Sequence, residues 1–194
     1  MKAVLMSIHH KWCKLIFSGE KTIEVRKTAP KLETPFTVYV YCTKERMTRV
    51  PSMYAYLHKN EPGACAEYGT IETWGEIGDV IVNPHLASKH VSFGMHGKVI
   101  GEFVCDRVRL CIPFGLKGHL LPQEVYREMC LTKEQLDKYG GLKTLYGWHI
   151  TAPKLFDKPR ELTEFTLGRG FIAGRFPLTR PPRSWCYVEG GDHE

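Results

Sequence analysis

The sequence predicts an α+β protein, a small mixed barrel or open sheet flanked by a few short helices. Three observations lead there. Apolar and polar residues alternate in several short runs, as in half-buried strands. Helical spacing is confined to a few brief segments, and strands and helices do not alternate in the rhythm of a doubly wound sheet. No Gly-rich phosphate loop, Rossmann fingerprint or Gly-x-Ser-x-Gly elbow is present.

Lys2 to Ile8 reads as the first strand. His10 to Ser18 follows as a short helix, with Trp12, Leu15 and Ile16 at the spacing of a buried face and Gly19 as its stop. Lys21 to Lys27 reads as a strand with one oily and one charged face: Ile23 and Val25 point one way, Thr22, Glu24 and Arg26 the other. Pro30 and Pro35 bracket a turn, and Phe36 to Thr43 alternates again. Residues 44 to 95, dense in Pro and Gly, read as an insertion beside the core, ending in the turn-prone stretch from Gly94 to Gly97.

Lys98 to Leu110 is a long strand whose Gly101 marks a bulge or a close backbone approach. Helices are expected at Pro122 to Met129 and at Lys133 to Tyr139. The second carries a capping box in Thr132 and Gln135, and Gly140 and Gly141 end it. Trp148 to Ile150 reads as a strand, Phe156 to Phe165 as a turn into an edge segment, and Ser184 to Glu189 as the last strand. The 194 residues are enough for one domain with a sizeable insertion and a real core.

Hydrophobic content of 43% and charged content of 25% are those of an ordinary globular chain, and no apolar run is long enough to span a bilayer. The N-terminal run is too short and too soon interrupted by His9, His10 and Lys11 for a signal peptide, so a cytoplasmic protein without a membrane partner is expected. Seven cysteines without a Cys-x-x-Cys and nine histidines without a His-x-x-x-His give no metal signature, and neither a metal nor a cofactor is expected.

The net charge of +6 is unevenly spread. Residues 1 to 60 hold eleven Lys or Arg against four Glu, and residues 61 to 88 hold five acids and no Lys or Arg. Arg169, Arg175, Arg180 and Arg183 stand in a C-terminal arm, about 166 to 183, without an acid between Phe165 and Val188. Brought together, the two basic ends would attract phosphates; left apart, they are solubilising charge. The acidic half of the insertion, 61 to 88, offers a surface for a basic protein partner.

Lys21, Glu24 and Arg26 admit two bland readings and a sharp one. They are a solvated face with a surface ion pair, a network tying the helix end to the sheet, or an acid–base–cation cluster facing a ligand. In the sharp reading a desolvated Lys21 serves as base or nucleophile, and the Arg26 fork suits a phosphate or a carbonyl edge. Trp148, Trp185 and Tyr187 are candidates for stacking on a base or for the core, and Trp12 is assigned to the core. His149 points opposite to Trp148, so one of the two faces the cleft. Glu102 is a candidate second carboxylate.

At Gly19-x-Lys21-x-x-Glu24-x-Arg26 the chain resembles the ASCH domain family of the PUA-like superfamily. A Leu-x-Ser-Ile strand and a Trp-bearing helix before the motif, Gly-Lys-Val-Ile-Gly-Glu at 97 to 102 and Trp-His-Ile at 148 extend the likeness. Pro-Pro-Arg-Ser-Trp-Cys-Tyr-Val at 181 to 188 is similar to small bacterial and phage members. The resemblance implies one ASCH domain over 1 to 194, a small β-barrel flanked by helices, and a cleft lined by the charged motif with Ser7 and Lys11 near it. It implies binding of RNA or a modified nucleoside or nucleotide through Ser7, Lys11, Lys21, Glu24, Arg26, Trp148, His149 and Trp185, with the four arm arginines as nucleic-acid contacts. Its alternative is a hydrolase of the N4-acylcytidine amidohydrolase or ribonuclease type, with Lys21 and Glu24 catalytic. Glu24 stands where the small amidohydrolases carry a threonine nucleophile. A glutamate activates water but does not replace a hydroxyl nucleophile without a change of mechanism.

Overall fold

The computed structural model describes residues 2–43, 48–49, 72–73, 95–116, 118–167 and 176–189. Apart from a two-residue pairing of β4 (Thr48–Arg49) with β5 (Glu72–Thr73) and Met95 at its end, the 44–95 insertion lies outside the described residues. So do Arg169 and Arg175.

Seven strands form one mixed sheet: β1 (Lys2–Ile8), β2 (Ile23–Arg26), β3 (Phe36–Cys42), β6 (Val99–Ile112), β7 (Leu145–Arg160), β8 (Thr166–Leu167) and β9 (Trp185–Glu189). Their order is β2-β7-β6-β3-β1-β9-β8. Among the described strands only β1 and β3 pair in parallel, and the connection between them carries α1 (His10–Phe17) and β2. The expected barrel is a strongly curled sheet whose described pairings do not close it. The curl is visible in side-chain contacts: Trp148 of β7 meets Trp185 of β9 at 5.5 Å between rings, although the two strands are far apart in the order.

The near-continuous apolar sequence of β1 follows from burial of both its faces. Val4, Met6 and Ile8 join Val38, Val40, Phe103, Trp148 and the α1 residues Cys13 and Ile16 in the main core. Ala3 and Leu5 face a second cluster with Tyr39, Tyr41, Leu162, Phe165 and Val188. α2 (Gln123–Met129) and α3 (Lys133–Gly140) cover a third, with Val25, Ile112 and Leu145.

Local signals landed closely. Gly19 ends α1 at φ +82°. At α3 the Thr132 hydroxyl accepts from the Gln135 N–H (3.3 Å) and the Gln135 side chain accepts from the Thr132 N–H (3.0 Å), so the capping box is made in full. Gly101 is a bulge and a close approach together: the β6–β7 and β3–β6 registers shift beside it, and a Cβ there would meet Lys154 O and stand 2.7 Å from a Phe17 ring carbon. Two readings are corrected. Phe156 to Arg160 is not a turn into an edge but the end of the 16-residue β7, still paired to β6, with a 3-10 turn (Leu162–Glu164) after it. Repeated bulges bend the β6–β7 pair and carry it further than its broken alternation suggested. Trp12 is half-buried at the core's margin rather than inside it.

Candidate functional site

The positive φ at Gly19 turns the chain back so that the Lys21 N–H bonds Leu15 O (2.9 Å) on the last turn of α1. Thr22 then bridges two elements, its N–H to Glu128 O of α2 and its carbonyl to the Ile150 N–H of β7. From there β2 runs antiparallel to β7, with Glu24 opposite Trp148 and Arg26 opposite Tyr146. Directly opposed residues share a face, so the charged side of β2 lies on the face that carries Trp148 into the core. Its oily side is also covered, Val25 lying under α2 and α3.

Both sides of this short strand are therefore buried, which excludes the solvated-face reading. Lys21 is 2% exposed, Glu24 7%, Arg26 9% and Ser7 8%. Glu24 sits between two cations: Lys21 Nζ lies 3.4 Å from Oε2, and Arg26 Nη2 lies 3.0 Å from Oε1. Lys21 Nζ also donates to Met129 O at the end of α2. Arg26 Nη2 donates to Ser7 O (2.8 Å). The cluster thus ties α1, β2, α2 and β1 together with two positive charges and one negative, which leaves one cation in excess in a low-dielectric place. Arg26 Nε and Trp148 Nε1 are buried donors without a hydrogen-bond partner among the described residues.

Ser7 links the cluster to the C-terminal segment. Its hydroxyl donates to Pro182 O (2.7 Å) and its N–H to Ser184 O (2.9 Å), the two residues flanking Arg183. Arg183 and Arg180 are exposed on that segment. Ser7, Lys21, Glu24, Arg26 and the backbone around Arg183 are therefore one contiguous assembly, drawn from opposite ends of the chain.

The remaining candidates are spread around it. Trp148 is fully buried and packs edge-on against Phe36 (5.7 Å) and Trp185 (5.5 Å). Trp185 is half-buried, touches Tyr187 (5.3 Å) and donates its indole N–H to Thr28 Oγ1 (2.9 Å). His149 is on the other face, its Nδ1 2.7 Å from Asp106 Oδ1, as alternation required. Lys11 is exposed and stands over the Trp12 ring at 4.8 Å; Lys21 approaches the same ring at 5.1 Å. Glu102 lies opposite Tyr39 and Lys154 in the sheet, away from Glu24. Among the described residues no group of three or more His, Cys, Asp or Glu is arranged to hold a metal ion. Among them too, no helix is long and apolar enough to cross a membrane.

One neighbour was missed. Tyr139 of α3 stands within electrostatic reach of Arg26 and Glu24. Burial pushes its phenol up, the Arg26 guanidinium, which can only donate toward the phenol oxygen, draws it back, and Glu24 adds to the rise, so the phenol stays protonated at physiological pH. Lys27 Nζ lies 4.7 Å from the centre of its ring. Nothing in the spacing of α3 marks this tyrosine; only the docking of α3 beside β2 brings it there.

Known proteins agree with this architecture. A sequence profile of the ASCH domain matches residues 6–104, just over half of the chain. Crystal structures of ASCH from Zymomonas mobilis share the fold. A tyrosine-to-phenylalanine variant superposes with a TM-score of 0.52 at 15% identity, over 97% of this chain and 91% of that one. The unsubstituted protein gives 0.51 at 15%, over 96% and 87%. A serine-to-alanine variant gives 0.51 at 14%, over 96% and 88%. No curated protein matches the sequence. With its motif strand, its mixed sheet and the profile match in agreement, the chain belongs to the ASCH domain family, with that family's PUA-like fold.

Proposed function

We propose that the chain binds RNA or a modified nucleotide, with Arg26 as the ligand-facing donor of the buried cluster. The observation that carries this reading is the Arg26 side chain. Its Nη2 is spent on Glu24 and Ser7 while its Nε, equally buried, has no acceptor among the described residues, in a cluster of two cations and one carboxylate. A buried donor left unmade is costly, and a phosphate or base oxygen relieves it with a charge-assisted bond. Trp148 Nε1 is a second such donor on the same face of the sheet, and the half-buried rings of Trp185 and Tyr187 supply aromatic surface beside it. Lys21 and Glu24 act in this reading as positioning residues, Glu24 holding the Arg26 fork and Lys21 anchoring Glu24 to α2. Exposed Arg180 and Arg183, on the segment held by Ser7, extend the positive potential outward.

The test is anisotropy titration of short single-stranded RNAs against salt. Neutralising one phosphate-binding cation lowers the slope of log affinity on log salt by about 0.7, so Arg180→Ala with Arg183→Ala is expected to reduce it by about 1.4. Arg26→Gln is expected to weaken binding at every salt concentration. Binding that ignores salt, or no binding at all, refutes the reading. Incubation with N4-acylcytidine and RNA is run in parallel; product that forms with wild type and disappears in Lys21→Ala moves the assignment to hydrolysis.

A further inference from the structure

The loop between β2 and β3 shapes a hollow that the Arg26 cluster does not use. Pro30, Leu32, Glu33 and Thr34 form one wall, and Arg107 and Val108 of β6 the other, around about 550 Å³. That volume lies within the range of small-ligand sites. The wall is held in place from behind. Thr28 accepts the Trp185 indole N–H, the Lys31 N–H donates to the Tyr187 hydroxyl (2.6 Å), and Leu32 packs on the main core. Val108 stands directly opposite Trp148 in the sheet, whose buried indole N–H has no acceptor among the described residues. The hollow therefore offers one carboxylate and one guanidinium, and its loop wall is tethered to Trp185 and Tyr187.

We propose that this hollow is a base-recognition subsite for guanine in single-stranded RNA; the inference rests on the RNA-binding reading above. An ionised carboxylate accepts hydrogen bonds and donates none. Of the four RNA bases only guanine presents two adjacent N–H donors, N1–H and N2–H, on one planar edge to match the two oxygens of Glu33. Its O6 and N7 are the acceptors to which an arginine fork such as Arg107 donates. Uracil offers one N–H, and adenine and cytosine offer only an amino group beside a ring acceptor. The loop's polar residues and its tether to Trp185 and Tyr187 give the base a wall without filling the space.

Inosine differs from guanosine only in lacking the 2-amino group, which makes it the sharpest probe. Full-length protein is titrated with fluorescein-labelled heptauridylate carrying a central guanosine or a central inosine. Wild type is expected to prefer guanosine by about fivefold, the effect of removing one hydrogen bond to a partly solvated carboxylate. Glu33→Ala, a change in an exposed loop residue, is expected to bring the two oligonucleotides within about twofold. Equal affinity of wild type for both, or a preference that persists in Glu33→Ala, overturns the guanine subsite and leaves RNA binding standing. Failure to bind either oligonucleotide removes the RNA-binding reading and the subsite with it.

Discussion

Glu24→Gln probes the centre of the buried cluster with almost no change of shape. The carboxylate is 7% exposed, and its oxygens lie 3.0 Å from Arg26 Nη2 and 3.4 Å from Lys21 Nζ. A surface pair of that geometry would contribute under about 1 kcal/mol. Here the substitution leaves two cations facing each other away from solvent, a situation that destabilises by about 3–5 kcal/mol. The bonds from Lys21 to Met129 O and from Arg26 to Ser7 O persist, and the glutamine oxygen still accepts, so the lower end, about 3 kcal/mol, is expected. For a chain of this length that corresponds to a fall in Tm of roughly 6–12 °C. Urea unfolding followed by tryptophan fluorescence measures it, and adding Lys21→Met completes a double-mutant cycle whose coupling should exceed about 1 kcal/mol. A destabilisation below about 0.5 kcal/mol, or one that disappears in high salt, would show that solvent reaches the cluster and that the burial argument is wrong.

Gly101→Ala is expected to destabilise by about 1–3 kcal/mol, because the new methyl meets a backbone carbonyl of β7 that cannot withdraw; unchanged urea midpoints would refute the close approach. Glu164 closes the turn after β7. Burial pushes its carboxyl up, but bonds from Arg160 and the Glu161 N–H, with the Arg160 charge, outweigh burial and hold it below the usual range. Its contribution is therefore present above the ordinary carboxylate pKa and lost as pH falls through its lowered folded value; the stability gap between wild type and Glu164→Gln, under about 1 kcal/mol, should close on acidification. Burial pushes Cys105 and Cys186 up to about 11, so iodoacetamide at pH 8 should leave both unmodified in the native protein and label them in urea, as read by peptide mass spectrometry.

The local signals in the chain carried most of the element positions. Gly19, the Thr132–Gln135 capping box and the Gly101 kink are short-range chemistry, governed by φ, an orphan N–H or a missing Cβ. They need no knowledge of the rest of the molecule. The same holds for the alternation that separates Glu24 and Arg26 from Val25, and Trp148 from His149. What alternation cannot contain is which side of a strand meets solvent. β2 looked half-exposed because its charges looked like a surface. Only the curl of the sheet on one side, and the docking of α2 and α3 on the other, buried them. The reach of β7 to Arg160 was likewise hidden, since strand length there is set by hydrogen bonding to β6 rather than by side-chain pattern.

Family membership was legible from the motif because Lys21, Glu24 and Arg26 stand at a fixed spacing on one short strand and the two residues that lead into it. Their partners were not. Met129 contributes only a carbonyl, Ser7 acts partly through its backbone, and Tyr139 arrives on a helix far downstream. The sequence by itself determined the strands, the caps and the charged motif, since each depends on neighbours along the chain. The tertiary structure alone decided that the motif is buried, which groups complete it, and that a hollow opens beside Glu33 and Arg107. Burial and convergence are properties of segments distant in sequence, and no local preference encodes them.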